Sequence, residues 1–122
     1  MDFLWITLTV KNLDKTIKFY EDIIGLQLKN RMRPTENVEV AFLEDGKSST
    51  YVELYYNKEI SSVSVGSDYS IGFETESVDD MLELAKKKNI KVVSDVIQPT
   101  PKLKFFYILD PDGRKVQFVQ HL

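Results

Sequence analysis

Apolar and polar positions along this chain alternate between two rhythms. In FLWITLTV, residues 3–10, Ile6, Leu8 and Val10 fall on one side and Trp5, Thr7 and Thr9 on the other, which predicts a strand. NLDKTIKFYEDIIG, residues 12–25, sets Leu13, Ile17, Tyr20 and Ile24 along one helical stripe. Asn12 suits the N-cap and Gly25 the left-handed C-terminal position. Three strand-like runs follow: LQLKNRMR (26–33), VEVAFLED (38–45) and TYVELYYN (50–57). Pro34, Gly46 and Ser48–Ser49 punctuate them. Residues 58–67 are serine-rich without a long period and read as a linker. Then the rhythm returns. YSIGFETE (69–76) predicts a strand and SVDDMLELAKKKN (77–89) a helix. Ser77 with Asp80 approximates a capping box, acids come early and lysines late, and Asn89 ends the run. KVVSDVI (91–97), KLKFFYILD (102–110) and KVQFVQ (115–120) predict the last strands, with the turn DPDG (110–113) between the final two.

The order strand, helix, three strands therefore occurs twice. Ile6 and Ile71, Leu13 and Val78, Asp14 and Asp79, and Ile17 and Leu82 are each 65 positions apart. Two copies of one unit predict an α+β fold in which each helix covers one side of a curved sheet and the other side is concave. Parity assigns Ile6, Leu8, Val10, Val52, Leu54, Ile71, Phe73, Val116 and Phe118 to the helix-packed core. It assigns Trp5, Thr7, Thr9, Tyr51, Glu53, Tyr55, Ser70, Gly72, Glu74, Lys115, Gln117 and Val119 to the concave face. In KLKFFYILD either Phe105 and Tyr107 or Phe106 and Ile108 join that face.

A length of 122 residues favours one domain, with modules over 1–57 and 68–122 around the linker. The composition, 43% hydrophobic and 29% charged, is that of a soluble globular protein. A net charge of -3 and a pI near 5.2 argue against a nucleic-acid surface, which needs clustered Lys and Arg. No run reaches the ~18 apolar residues of a membrane helix, so no membrane partner is expected. The absence of cysteine removes disulfides, thiolate zinc sites and a cysteine nucleophile, and suits the cytoplasm. MDFLWITLTV lacks the basic start and small-residue cleavage site of a signal peptide.

Three stretches, LTVKNLDKTIKFYEDIIGLQL, YVELYYN and FFYILDPDGRKVQFVQ, carry a resemblance to the vicinal oxygen chelate superfamily over nearly the whole chain. That superfamily includes lactoylglutathione lyases, extradiol dioxygenases, fosfomycin and bleomycin resistance proteins and methylmalonyl-CoA epimerases. The resemblance implies a glyoxalase-like fold: two βαβββ modules forming a cup-shaped mixed sheet with the helices outside. It also implies a homodimer, since small members usually dimerise. Active members usually hold a divalent metal in the cup, with one ligand early in the first strand and one in the last strand of each module. Those positions fall on Trp5, Glu53, Ser70 and Gln117 here. Glu53 is the one strong donor; Gln117 offers a weak carbonyl oxygen, Trp5 cannot ligate, and Ser70 is poor while protonated. His121, the only histidine, shares the parity of Gln117 but lies one residue from the C-terminus. Three or four donors are the rule, so no divalent metal or other cofactor is expected.

An aromatic and polar concave face suits a small organic ligand, bound by Trp5, Thr7, Tyr51, Glu53, Tyr55, Ser70 and Gln117. Glu53 and Glu74 favour a cationic or hydrogen-bond-donating molecule. Trp5 either stacks on that ligand or plugs the cup. Glu53 either lines the pocket or only bonds Gln117 or a tyrosine hydroxyl. Arg31 and Arg33 either draw an anion to the rim or are solvated edge-strand charges. Two functions follow. One is a metal-independent binding protein of the bleomycin-resistance type. The other is a lyase, isomerase or dioxygenase that uses Glu53 as catalytic general base or as partial metal ligand. A third possibility is a functional dimer surface with a vestigial cup.

Overall fold

The computed structural model describes residues 1–122, which form two units, Met1–Ser64 and Val65–Leu122. Each has the order strand, helix, three strands.

The first unit begins with β1, Trp5–Thr9. Asn12 caps the helix α1, Leu13–Phe19, by accepting the Lys15 amide at 3.0 Å. The helix widens into a π-helical turn over Tyr20–Ile24, and Gly25, at φ 87°, ends it in the left-handed region. Strands β2 (Gln27–Met32), β3 (Val38–Glu44) and β4 (Tyr51–Asn57) complete the unit. The sheet order is β1-β4-β3-β2, with β1 parallel to β4 and the other pairs antiparallel. Helix α1 packs on β3 and β4. Leu8, Leu43 and Leu54 of the sheet and Ile17 and Tyr20 of the helical segment are all buried and make up the core of this unit.

The second unit repeats this plan with β5 (Ile71–Glu74), α2 (Val78–Lys87), β6 (Ile97–Thr100), β7 (Leu103–Leu109) and β8 (Lys115–His121), in the order β5-β8-β7-β6. Ser77 caps α2 by accepting the Asp80 amide, and Gln120 Oε1 of β8 accepts the Val78 amide at 2.9 Å. The first turn of α2 is thus tied to the sheet it covers. Phe106, Ile108, Val116 and Phe118 are buried, so Phe105 and Tyr107 share the opposite face with Gln117. That resolves the two alternatives left open by the sequence of β7.

Two expectations need correction. The strand predicted over 91–97 is displaced: the paired strand is Ile97–Thr100, and Val92 makes one isolated bridge to Ile108. Ser94 Oγ accepts the Tyr107 amide at 3.0 Å, so a side chain occupies a donor that a ladder would have used. Ser70 also falls outside its predicted strand, because β5 starts at Ile71.

The turn at 110–113 forms as predicted, with the Gly113 amide donating to Asp110 O at 3.0 Å. Arg114 is buried beneath it. Its Nη1 lies 2.9 Å from Asp110 Oδ2, while Asp110 Oδ1 accepts the Asp112 and Arg114 amides. The buried charges are thus paired and hydrogen-bonded, as charges withdrawn from water must be.

Candidate functional site

In the first unit the sheet face away from α1 carries the residues of outward parity. The ladders set Trp5 opposite Tyr51, Thr7 opposite Glu53, Thr9 opposite Tyr55, and Phe42 opposite Glu53 from the other side. Trp5 meets the Phe42 ring edge-on at 5.6 Å and 74°, and Phe42 meets Tyr51 at 5.9 Å and 83°. These three rings, with Lys29 and Asn30, line a recess of about 360 Å³. Trp5 remains 46% exposed, so within this unit it forms one wall of an accessible recess.

Lys29 and Asn30 are adjacent in sequence yet line the same recess. A β-bulge explains this. Leu28 pairs with Leu43 and Asn30 with Phe42, which leaves Lys29 as an extra residue in β2. Beyond the bulge every side chain changes face. Asn30 and Met32 pair with Phe42 and Val40, whereas Arg31 pairs with Ala41 and turns toward the helix. There its Nη1 lies 2.7 Å from Asp14 Oδ1 and its Nε 2.5 Å from Glu39 Oε2. These hydrogen bonds, Glu39 first, raise the Arg31 pKa above the ordinary guanidinium value, and the Arg31 bond holds the Glu39 carboxyl below its ordinary value. Arg33 reaches Glu39 at 3.6 Å. Both arginines are thus engaged by carboxylates at the edge strand, and neither lines the recess.

Glu53 is held by its neighbour: Thr7 Oγ1 donates to Glu53 Oε1 at 2.5 Å, the short geometry of a hydroxyl on a carboxylate. Thr7, Glu53 and Tyr55 share the face of the recess without lining it. In the second unit Gly72 takes the place of Thr7 and pairs with Gln117. Gln117 Nε2 donates to Tyr107 Oη at 3.2 Å, and its Oε1 lies over Gly72, 3.2 Å from where a Cβ would stand. Lys115 Nζ is 6.0 Å from the centre of the Tyr107 ring. His121 Nδ1 is 3.2 Å from Glu74 Oε1, on an exposed end of the sheet.

The positions implied for a metal do not carry a matching donor set. Trp5 packs against Phe42, Glu53 is bonded by Thr7, Ser70 precedes its strand, and Gln117 is turned to Tyr107. Within neither unit do three or more carboxylate or imidazole side chains converge.

Of the ligand-binding residues expected from sequence, Trp5 and Tyr51 line the recess; Phe42, Lys29 and Asn30 were missed. Phe42 was detectable, because in VEVAFLED it alternates with Ala41 and Leu43, whose buried side chains take the helix face. The other two depend on a bulge that no glycine or proline announces.

The repeated βαβββ plan defines a glyoxalase-type fold. Residues 2–118 match the family model of the Glyoxalase/Bleomycin resistance protein/Dioxygenase superfamily, and the chain belongs to that superfamily. It is 33% identical over 115 residues to the uncharacterized protein YwbC of Bacillus subtilis (strain 168), covering 91% of this chain and 90% of that one. It is 31% identical over 131 residues to a lactoylglutathione lyase of Haemophilus influenzae, covering 99% and 93%. Among solved structures, glyoxalase I from Zea mays matches with a TM-score of 0.85 at 25% identity, over 98% of this chain and 44% of that one. A glyoxalase family protein from Bacillus cereus matches with a TM-score of 0.84 at 22% identity, over 100% and 93%, and shares the fold. No helix is long and apolar enough to cross a membrane.

Proposed function

We propose that this chain is a small-molecule binding member of the superfamily that takes a flat organic ligand on the open face of its first sheet without a divalent metal. The observation that carries this reading is the recess between Trp5, Phe42 and Tyr51, three rings set edge-on around an accessible volume of about 360 Å³. The unmatched donor set at Trp5, Glu53, Ser70 and Gln117 supports the metal-free part. A ligand that binds only the folded chain raises its melting temperature. Bicyclic aromatic compounds at millimolar concentration are expected to raise the melting temperature of the wild type, and Phe42→Ala to abolish the rise. A wild type that responds to none of them would refute the reading.

Catalysis is the second reading, favoured by the Thr7–Glu53 hydrogen bond and by the relative named lactoylglutathione lyase. Thr7 fixes one carboxylate oxygen of Glu53 on the open face, which suits a general base whose position is set by its neighbour. Hemithioacetal isomerisation by the purified chain, lost in Glu53→Gln with the melting temperature unchanged, is the result this reading requires. Equal turnover in both proteins would end it.

A further inference from the structure

We infer that the recess selects a planar aromatic anion, with Lys29 as its charge contact and Asn30 as its hydrogen-bonding neighbour. This rests on the reading of the recess as a binding site and names the chemistry of its ligand. Among the five lining residues three are aromatic, one is an amide, one is a cation and none is a carboxylate. Glu53 stands across the ladder from Phe42, but one of its oxygens accepts from Thr7 and its side chain lies outside the lining. The positive end exists because of the bulge: in a regular ladder Lys29 would take the place of Asn30 opposite Phe42, and Asn30 would face the helix. The extra residue brings both to one end of a recess whose other walls are rings.

Lys29 also has only a weak partner. Its Nζ is 4.0 Å from Glu44 Oε1, and its side chain is 58% exposed. Exposed pairs of this kind contribute little, so a ligand carboxylate can displace Glu44 at small cost. The Asn30 amide and the Tyr51 hydroxyl supply further donors. Rings for stacking, a loosely held ammonium and neutral donors define an aromatic carboxylate better than a cation or a neutral arene.

Trp5 is the only tryptophan, so its indole N–H gives a single resonance from the wall of the recess. The ¹⁵N-labelled protein is titrated with 2-naphthoate and with its neutral isostere 2-naphthamide at low salt. The acid is expected to shift the indole resonance saturably and to bind about tenfold more tightly than the amide, as one hydrogen bond to a charged group allows. Lys29→Met should erase that preference. Glu44→Gln should tighten naphthoate binding by up to about fivefold, the upper bound set by one removed charge at this range in water. Equal affinities for acid and amide, a preference that survives Lys29→Met, or a weaker affinity in Glu44→Gln would overturn the anion assignment while leaving the binding site standing. No shift with either compound would overturn both.

Discussion

Replacing Arg31 by Met keeps the length of the side chain and removes two carboxylate contacts, to Glu39 at 2.5 Å and to Asp14 at 2.7 Å. Asp14 is 79% exposed and its leg is screened, so the Glu39 leg carries most of the effect. Taking the upper range for partly exposed pairs, the loss is about 1 kcal/mol at neutral pH and low salt. With ~2.1 cal/mol/K of unfolding entropy per residue over 122 residues, that lowers the melting temperature by about 4 °C. The pH dependence has a fixed sign. Arg31 depresses the folded pKa of Glu39 below 4.5, so the pair stabilises the fold above that pH and the contribution fades as pH falls through the lower folded value. Differential scanning calorimetry of wild type and Arg31→Met at pH 7 and pH 3 reads this directly. A difference near 4 °C at pH 7 that becomes smaller at pH 3 is expected. No difference at pH 7 would refute the Arg31–Glu39 pair as a contributor to stability.

Other substitutions probe the remaining supports. Arg114→Met removes the guanidinium buried against Asp110 and is expected to cost about 3–5 kcal/mol in urea unfolding, since it leaves buried carboxylates without their cation. A cost under about 1 kcal/mol would show that the turn pair is dispensable. Gly72→Ala sets a methyl 3.2 Å from the flexible end of Gln117, so it should be tolerated or stabilise by up to about 1 kcal/mol as strand backbone freedom is reduced. A loss of more than that in the melting curve would mean that Gln117 cannot move.

Much of the fold was legible because its signals are local. Asn12 and Ser77 can cap a following amide from their own side chains, and Gly25 adopts φ 87° without a Cβ to clash. The alternation of Leu8, Val52 and Leu54 with Thr7, Glu53 and Tyr55 follows from the pleat and needs no tertiary knowledge. Other features depend on partners remote in sequence. The widening at Tyr20–Ile24 buries Tyr20 and Ile23 and leaves Ile24 half-buried, so the stripe read from periodicity ends one residue away from the one observed. Residues 91–97 have the composition of a strand, but Ser94 competes for the Tyr107 amide and pairing resumes only at Ile97. The site divides in the same way. Trp5 and Tyr51 come from regular strands and follow from parity, whereas Lys29 and Asn30 owe their shared place to one inserted residue in β2. A register shift is a property of two strands together, and QLKNRM alone contains no mark of it.

Ligand binding in the aromatic recess without a metal is tested most directly by calorimetric titration of the chelator-treated protein with 2-naphthoate, repeated in the presence of Zn²⁺ and of Ni²⁺. Saturable binding with one site per chain and the same affinity in all three conditions is expected. Binding that appears only when a metal is supplied would contradict it.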